Sequence, residues 1–244
     1  VLEVETATGW QTMKAGDVTS LGSVERRSVL SRRVRVTPFV PLSVSGEGFT
    51  LEPGAETSYY TIRFASDKLG IARGTVQEGA RTFPVEVTVT DFPTPTPSIE
   101  LLDEVGPARQ VRFRVKLSEA ARTNLTAAVS VSFVPDAGLP DDTAVMLLPN
   151  SVRTVPVTIS EGSTATEELL VQTGTTAGLI QLRVTVGNRT AQTSFRIAPA
   201  AVVLQSLKAS VASANAEIIL TGYDTVRSAS KLAFTFYLRA GQTA

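Results

Sequence analysis

Apolar and polar residues alternate with a period of two along most of the chain. Residues 33–40 read RVRVTPFV, 57–65 TSYYTIRFA, 81–90 RTFPVEVTVT, 110–117 QVRFRVKL, 126–134 TAAVSVSFV, 151–159 SVRTVPVTI, 179–186 LIQLRVTV and 192–197 QTSFRI. Each run is rich in Val, Ile, Thr or Phe and is bounded by Gly, Pro, Asn or Asp, the composition of short strands. Successive side chains of a strand point to opposite faces. The alternation therefore predicts strands with one face on a core and one in water, as in antiparallel sandwiches. A 3.6-residue period does not recur. Residues 202–217 are the best helical candidate by Ala content, yet LKASVAS and EIILTG within them read equally well as strands. The chain is expected to be all-β.

Two hairpins set the repeat. Residues 71–77 and 81–89 flank Glu78-Gly79-Ala80, and residues 179–186 and 190–197 flank Gly187-Asn188. Gly and Asn supply the positive φ that tight hairpin turns require. The first hairpin is followed by DFPTPTP (91–97), whose proline density enforces a stiff, extended connection. The second is followed by Ala198-Pro199-Ala200-Ala201. The expected organisation is a first sandwich at 1–92, a Pro-rich linker at 93–97, a second sandwich at 98–198 and an incomplete third module at 199–244. Residues 231–239, KLAFTFYLR, alternate as a further strand, and a pattern that stops there suggests a piece of a longer polypeptide.

Composition narrows the chemistry. Among 244 residues there are 23 Lys+Arg and 23 Asp+Glu, so the net charge of zero argues against a nucleic-acid partner. With no His and no Cys, the commonest general base, thiol nucleophiles, thiolate metal sites and disulfides are all absent. No apolar run reaches the length of a membrane span, and the first twenty residues hold Glu3, Glu5, Lys14 and Asp17 where a signal peptide would be apolar. No cofactor and no catalytic residue are expected.

Residues 19–40, TSLGSVERRSVLSRRVRVTPFV, open with an LGSV step and pass into an Arg-rich alternating strand. SVSGEGF (43–49), LEPG (51–54), YTIRF (60–64) and the hairpin formed by residues 70–76 and 83–89 follow. Residues 17–92 thereby resemble the ASH (ASPM–SPD-2–Hydin) group of immunoglobulin-like domains, which includes the bacterial choice-of-anchor D modules. The remainder resembles β-sandwich repeats of large bacterial secreted or surface proteins. The resemblance implies tandem immunoglobulin-like antiparallel β-sandwiches and a non-enzymatic array module, acting as a spacer and protein-interaction scaffold outside the cell. Its partners would be neighbouring domains or other protein subunits. A fibre subunit assembled by strand exchange is one alternative, with residues 1–7 and the unfinished third module as the segments to exchange. A carbohydrate-binding accessory module with a polysaccharide partner is another.

The sharpest local feature is the cluster Arg26, Arg27, Arg32, Arg33 and Arg35. It reads either as an anion or partner patch or as a charged edge that blocks aggregation. On a strand Arg33 and Arg35 share one face and Arg32 takes the other. Trp10 and Tyr60 are candidate aromatic contacts. Trp10 reads as a plug over the end of the sandwich or a contact to a preceding module, and of adjacent Tyr59 and Tyr60 one is expected in the core. Asp136, Asp141 and Asp142 could offer oxygens to calcium, but their spacing fits ordinary turn chemistry. Glu161, Glu167 and Glu168 are the carboxylates a hydrolase would need, without a pocket signal around them.

Overall fold

The computed structural model describes residues 1–6, 8–200, 202–212 and 215–235. Among the described residues every regular element is a strand, in two compact units, Val1–Pro93 and Thr94–Ala244.

In the first unit β1 (Leu2–Thr6), β2 (Gly9–Thr12), β4 (Val29–Val36), β6 (Phe49–Pro53) and β7 (Tyr59–Ala65) form one sheet in the order β2-β1-β4-β7-β6. The facing sheet runs β3-β9-β8-β5, from β3 (Thr19–Glu25), β5 (Leu42–Ser45), β8 (Gly70–Glu78) and β9 (Arg81–Thr90). All pairings are antiparallel except β3 with β9, which is parallel. Alternation places Val34 and Val36 from β4, Ile62 and Phe64 from β7 and Val85, Val87 and Val89 from β9 in one core, each 3% exposed or less. Two sheets with the first strand beside the second on one and the last strand in the other define an immunoglobulin-like sandwich.

The second unit repeats the plan. Strands β10 (Pro97–Leu101), β11 (Gln110–Leu117), β13 (Met146–Leu148) and β15 (Leu169–Gln172) form the sheet β10-β11-β15-β13. Strands β12 (Leu125–Pro135), β14 (Thr154–Ile159), β16 (Gly178–Val186) and β17 (Arg189–Ile197) form the sheet β14-β12-β16-β17. Val111, Phe113 and Val115 from β11 meet Val129 and Val131 from β12 and Ile180, Leu182 and Val184 from β16. Pro95 and Pro97 are buried, and Thr96 exchanges hydrogen bonds with Ser118: its N–H reaches the Ser118 hydroxyl at 3.0 Å and its carbonyl accepts the Ser118 N–H at 2.9 Å. Residues after Pro93 therefore pack within the second unit. Among the described residues no strand lies parallel beside β17 as β3 does beside β9.

Residues 202–217 are not helical. Strands β18 (Val203–Ala212) and β19 (Asn215–Tyr223) pair as a two-stranded antiparallel sheet. Alternation decides this: Leu207, Ala209 and Val211 oppose Leu220, Ile218 and Ala216 on one face, and Ser206, Lys208 and Ser210 lie on the other. Its base is fixed to the second sandwich. Thr225 is fully buried, its hydroxyl accepts the Ala200 N–H at 2.7 Å and its carbonyl accepts the Ala177 N–H at 2.7 Å. The strand expected at 231–239 is not present over 231–235, where Leu232 and Phe234 are exposed; residues 236–239 lie outside the described residues.

Candidate interaction surface

Strand β4 is the centre of the candidate site. Its even-numbered residues Leu30, Val34 and Val36 face the core, so Arg33 and Arg35 project from the outer face. The register sets Glu3 opposite Arg35 and Val4 opposite Val34, which brings Glu5 beside Arg33 just past the end of the ladder. Arg33 grips Glu5 through two bonds of 2.7 and 2.6 Å, and Arg35 donates to Glu3 at 2.5 Å. These hydrogen bonds hold both carboxyls below their ordinary range, against a smaller opposing effect of desolvation, and hold both guanidinium groups protonated.

Trp10 stands on the same face. Strand β2 pairs with β1 so that Trp10 lies opposite Glu5, and its ring covers Arg35 at 4.6 Å and Arg33 at 5.9 Å. Tyr59 meets it edge-on with ring centroids 6.0 Å apart. Trp10 thus roofs an ion-pair ladder on a sheet face and does not plug the end of the sandwich. An open groove of about 470 Å³ lies alongside, bordered by Trp10, Arg33, Glu56, Tyr59 and Tyr60. Tyr60 turns inward, as expected of one of the two adjacent tyrosines: it packs against the core and stacks on Phe39 at 6.4 Å, with ring planes within 4°. Trp10 and Tyr60 therefore border one groove without forming a shared stacking platform.

The five arginines do not gather. Arg32 turns to the core side and donates through Nε to the Leu21 carbonyl at 2.8 Å. Arg26 lies 3.5 Å from Asp91 and over the Phe92 ring, and Arg27 lies 3.6 Å from Asp67. The cluster is contiguous in sequence because β4 and the turn before it are contiguous, but its charges are answered separately by acids from β1, from the turn after β7 and from the residue after β9.

The second unit builds the same device; of its residues the sequence reading singled out only Glu168, and in a different role. Arg112 binds Asp103 at 2.8 Å and lies 3.4 Å from Glu168, Arg114 binds Glu168 at 2.7 Å, and Lys116 lies 3.3 Å from Glu100. The side chain and backbone N–H of Arg112 hold Asp103 at a pKa of about 2. The signal was the basic alternation QVRFRVKL, which matches RRVRV in β4. Each sandwich thus carries a basic inner strand whose outward arginines are answered by acids on or beside a neighbouring strand.

The three aspartates weighed as calcium ligands separate. Asp136 takes Arg196 at 2.8 Å, Asp141 takes Arg153 at 2.8 Å, and Asp142 is buried. One oxygen of Asp142 accepts the N–H groups of Thr175 at 2.7 Å and Thr176 at 2.9 Å, and the other accepts that of Ala144 at 3.0 Å. Burial is the largest single effect on this carboxyl and raises its pKa, but the N–H donors together outweigh it and the net shift is downward. Arg227 adds a bond to the Thr176 hydroxyl at 2.9 Å. Asp142 is therefore a tie that fixes the loop receiving Thr225. Glu168 answers Arg112 and Arg114, and no group of three or more acidic side chains able to hold a metal occurs among the described residues. No described helix is long and apolar enough to cross a membrane.

No family model matches the chain, and no curated protein matches it. Solved structures do. The adhesin InvE of Yersinia pseudotuberculosis aligns over 72% of this chain at 11% identity and a TM-score of 0.36. Domains 5–6 of the S-layer protein SbsC align over 77% at 17% identity and 0.25, covering 97% of that chain. The I9–I11 tandem of titin aligns over 80% at 11% identity and 0.30, covering 69% of that chain. This chain spans 56% of the InvE chain. The strand order in each unit itself defines the class: tandem immunoglobulin-like sandwiches.

Proposed function

We propose that this chain is a non-enzymatic structural and adhesive module of an extracellular or cell-surface protein, a spacer that carries tension and a scaffold for protein interactions. The observation that carries the reading is where the chain enters and leaves each sandwich. In the first unit Leu2 pairs with Val36 at one pole of β4, while Thr90 pairs with Glu25, beside the start of β4 at the other pole. In the second, Pro97 pairs with Leu117, and Ile197 pairs with Gly178, which in turn faces Pro135 at the far end of β12. Tension along the chain therefore pulls the first and last strands of each unit lengthwise. All ladder bonds of a strand are loaded together, whereas peeling a strand sideways loads them singly. The parallel ladder of β3 with β9 adds to this resistance in the first unit.

The ASH-like motifs support assigning the first unit to that group and the protein to a bacterial surface. Residues 199–244 are proposed as the start of a third module, and 93–97, whose residues after Pro93 pack on the second unit, as the stiff connection between the first two. The Trp10, Arg33 and Arg35 face is the proposed partner surface, with a neighbouring protein domain as its partner. The fibre alternative loses its N-terminal donor, because Leu2–Thr6 is already paired with β2 and β4 of its own chain.

The test is mechanical. Single molecules held through their ends are expected to resist far more force than molecules held through residues 70 and 90 of the first unit, at the open end of the β8–β9 hairpin, which peels β9 from β8 one pair at a time. Equal forces in the two geometries would defeat the proposal.

A further inference from the structure

Edge strands expose unpaired N–H and C=O groups, and folded proteins blunt them with shortness, proline, charge or bulges. Six of the seven sandwich edges other than β17 are blunted by length or proline, and the seventh is bulged. Strands β2 and β5 have four residues and β13 has three. Strand β6 ends at Pro53, β10 begins at Pro97 and β14 carries Pro156. Strand β3 is interrupted by a bulge between Ser20 and Ser23. Strand β17 differs: it has nine residues, no proline, an unbroken register with β16 and an uncharged centre from Thr190 to Phe195. Its counterpart β9 is covered by β3, and among the described residues nothing pairs with the outer edge of β17.

We propose that β17 is the contact through which a second copy of this chain docks, antiparallel and edge to edge, about a two-fold axis at Thr193. The turn Gly187-Asn188 fixes which backbone groups are free. Gly187 has φ of 54°, as the first position of a two-residue hairpin turn needs, and Val186 and Arg189 close the turn as a bonded pair. Bonded pairs then fall on the odd-numbered residues of β17, and Thr190, Gln192, Ser194 and Arg196 aim their N–H and C=O groups outward. In an antiparallel pair centred on Thr193 these outward residues meet one another, Gln192 with Ser194 and Thr190 with Arg196. On the core-facing side, small Ala191 meets large Phe195 and Thr193 meets itself. Both residues pack at the margin of their own core and are only partly buried. Arg196, held by Asp136, faces Thr190, and Arg189 faces Ile197, so no like charges oppose. The same sequence pairs with itself in bonding, size and charge, which singles out a second copy as the occupant. The inference goes beyond the spacer reading, which could fail with this contact intact.

The contact is one strand wide and smaller than the ~1,200 Å² of stable complexes. Sedimentation velocity on the full chain should therefore show a monomer at micromolar concentration and a dimer growing toward the millimolar range. Ser194→Pro removes an outward N–H at an edge, where proline is tolerated, and should abolish the growth while circular dichroism is unchanged. Because the chain has no Cys, Thr193→Cys offers a second readout that does not depend on the proline variant folding. Under mild oxidation it should form a covalent dimer at least tenfold faster than Thr158→Cys, on exposed β14 of the same sheet. A wild-type chain that stays monomeric at the highest concentration, or equal cross-linking rates at the two positions, would overturn the proposal. So would saturable binding of a free KLAFTFYLR peptide to β17, which would make residues 231–239 the occupant.

Discussion

Replacing Asp142 with Ala should destabilise the second unit and leave the first untouched. The carboxylate is 5% exposed and accepts three backbone N–H groups. Ala144 is exposed and can turn to water, but Thr176 is fully buried and Thr175 half-buried, so two donors lose a charged acceptor with no replacement. An unmet buried donor costs about 1–3 kcal/mol, which puts the loss near 3 kcal/mol. With a guanidinium dependence of roughly 3 kcal/mol per molar for a unit of this size, the midpoint should fall by about 1 M. Trp10, the single tryptophan, reports the first unit by fluorescence, while circular dichroism follows both. The pH dependence has a definite sign. The folded pKa of Asp142 is depressed, so its contribution is complete above the unfolded value of 3.8 and is lost as pH falls through the folded value. The gap between wild type and Asp142→Ala should therefore close in acid. Gly174→Ala supplies a coupled variant, because a Cβ there would lie 2.6 Å from an Asp142 oxygen at a backbone φ of +68°. In the Asp142→Ala background its cost should shrink to about 1 kcal/mol, the left-handed strain alone. A midpoint shift under about 0.2 M, or an equal shift in the Trp10 transition, would refute the assignment of Asp142 as a buried tie.

Other outcomes follow from the same ion pairs and cores. The Asp103 carboxyl should titrate by NMR near pH 2 in the folded chain, and Arg112→Ala should return it toward 3.8; its stabilising effect is present above 3.8 and is lost as pH falls toward 2. Phe64→Ala should cost 3–5 kcal/mol on the first unfolding transition only, and Phe113→Ala a similar amount on the second only, since each ring is 1% exposed or less in a separate core. Val211→Lys should leave both thermal transitions in place and reduce binding of a hydrophobic dye, because Val211 is 80% exposed on the apolar face of the β18–β19 hairpin.

Long strands with a strict period were legible. Strands β9, β11, β12 and β16 lie within two residues of where alternation put them, because residues facing a core must be apolar and residues facing water need not be. Short elements were not: β13 has three residues and β15 four, too few to display a period. The parallel position of β3 beside β9 was invisible for a different reason, since pairing partners far apart in sequence leave no local mark. Residues 202–217 show the limit of composition, for their alanines favour a helix while the alternation of Leu207, Ala209 and Val211 matches a strand and wins. At the candidate surface, alternation correctly put Arg33 and Arg35 together and Arg32 apart. It could not show that Glu3 and Glu5 would answer them, because that depends on β1 lying beside β4. Asp142 was read as turn chemistry, and its bond from the Ala144 N–H two residues on fits that; its other two donors, 33 and 34 residues away, left no local mark.

The most direct test of the spacer account is to stretch single chains from end to end and count the unfolding steps. The account predicts two abrupt steps from chain segments about 310 Å long in the first sandwich and about 350 Å long in the second at ~3.5 Å per residue, each released length being shorter by the folded span, and each at a force well above that for peeling. A single step of combined length, or gradual extension without steps, would contradict it.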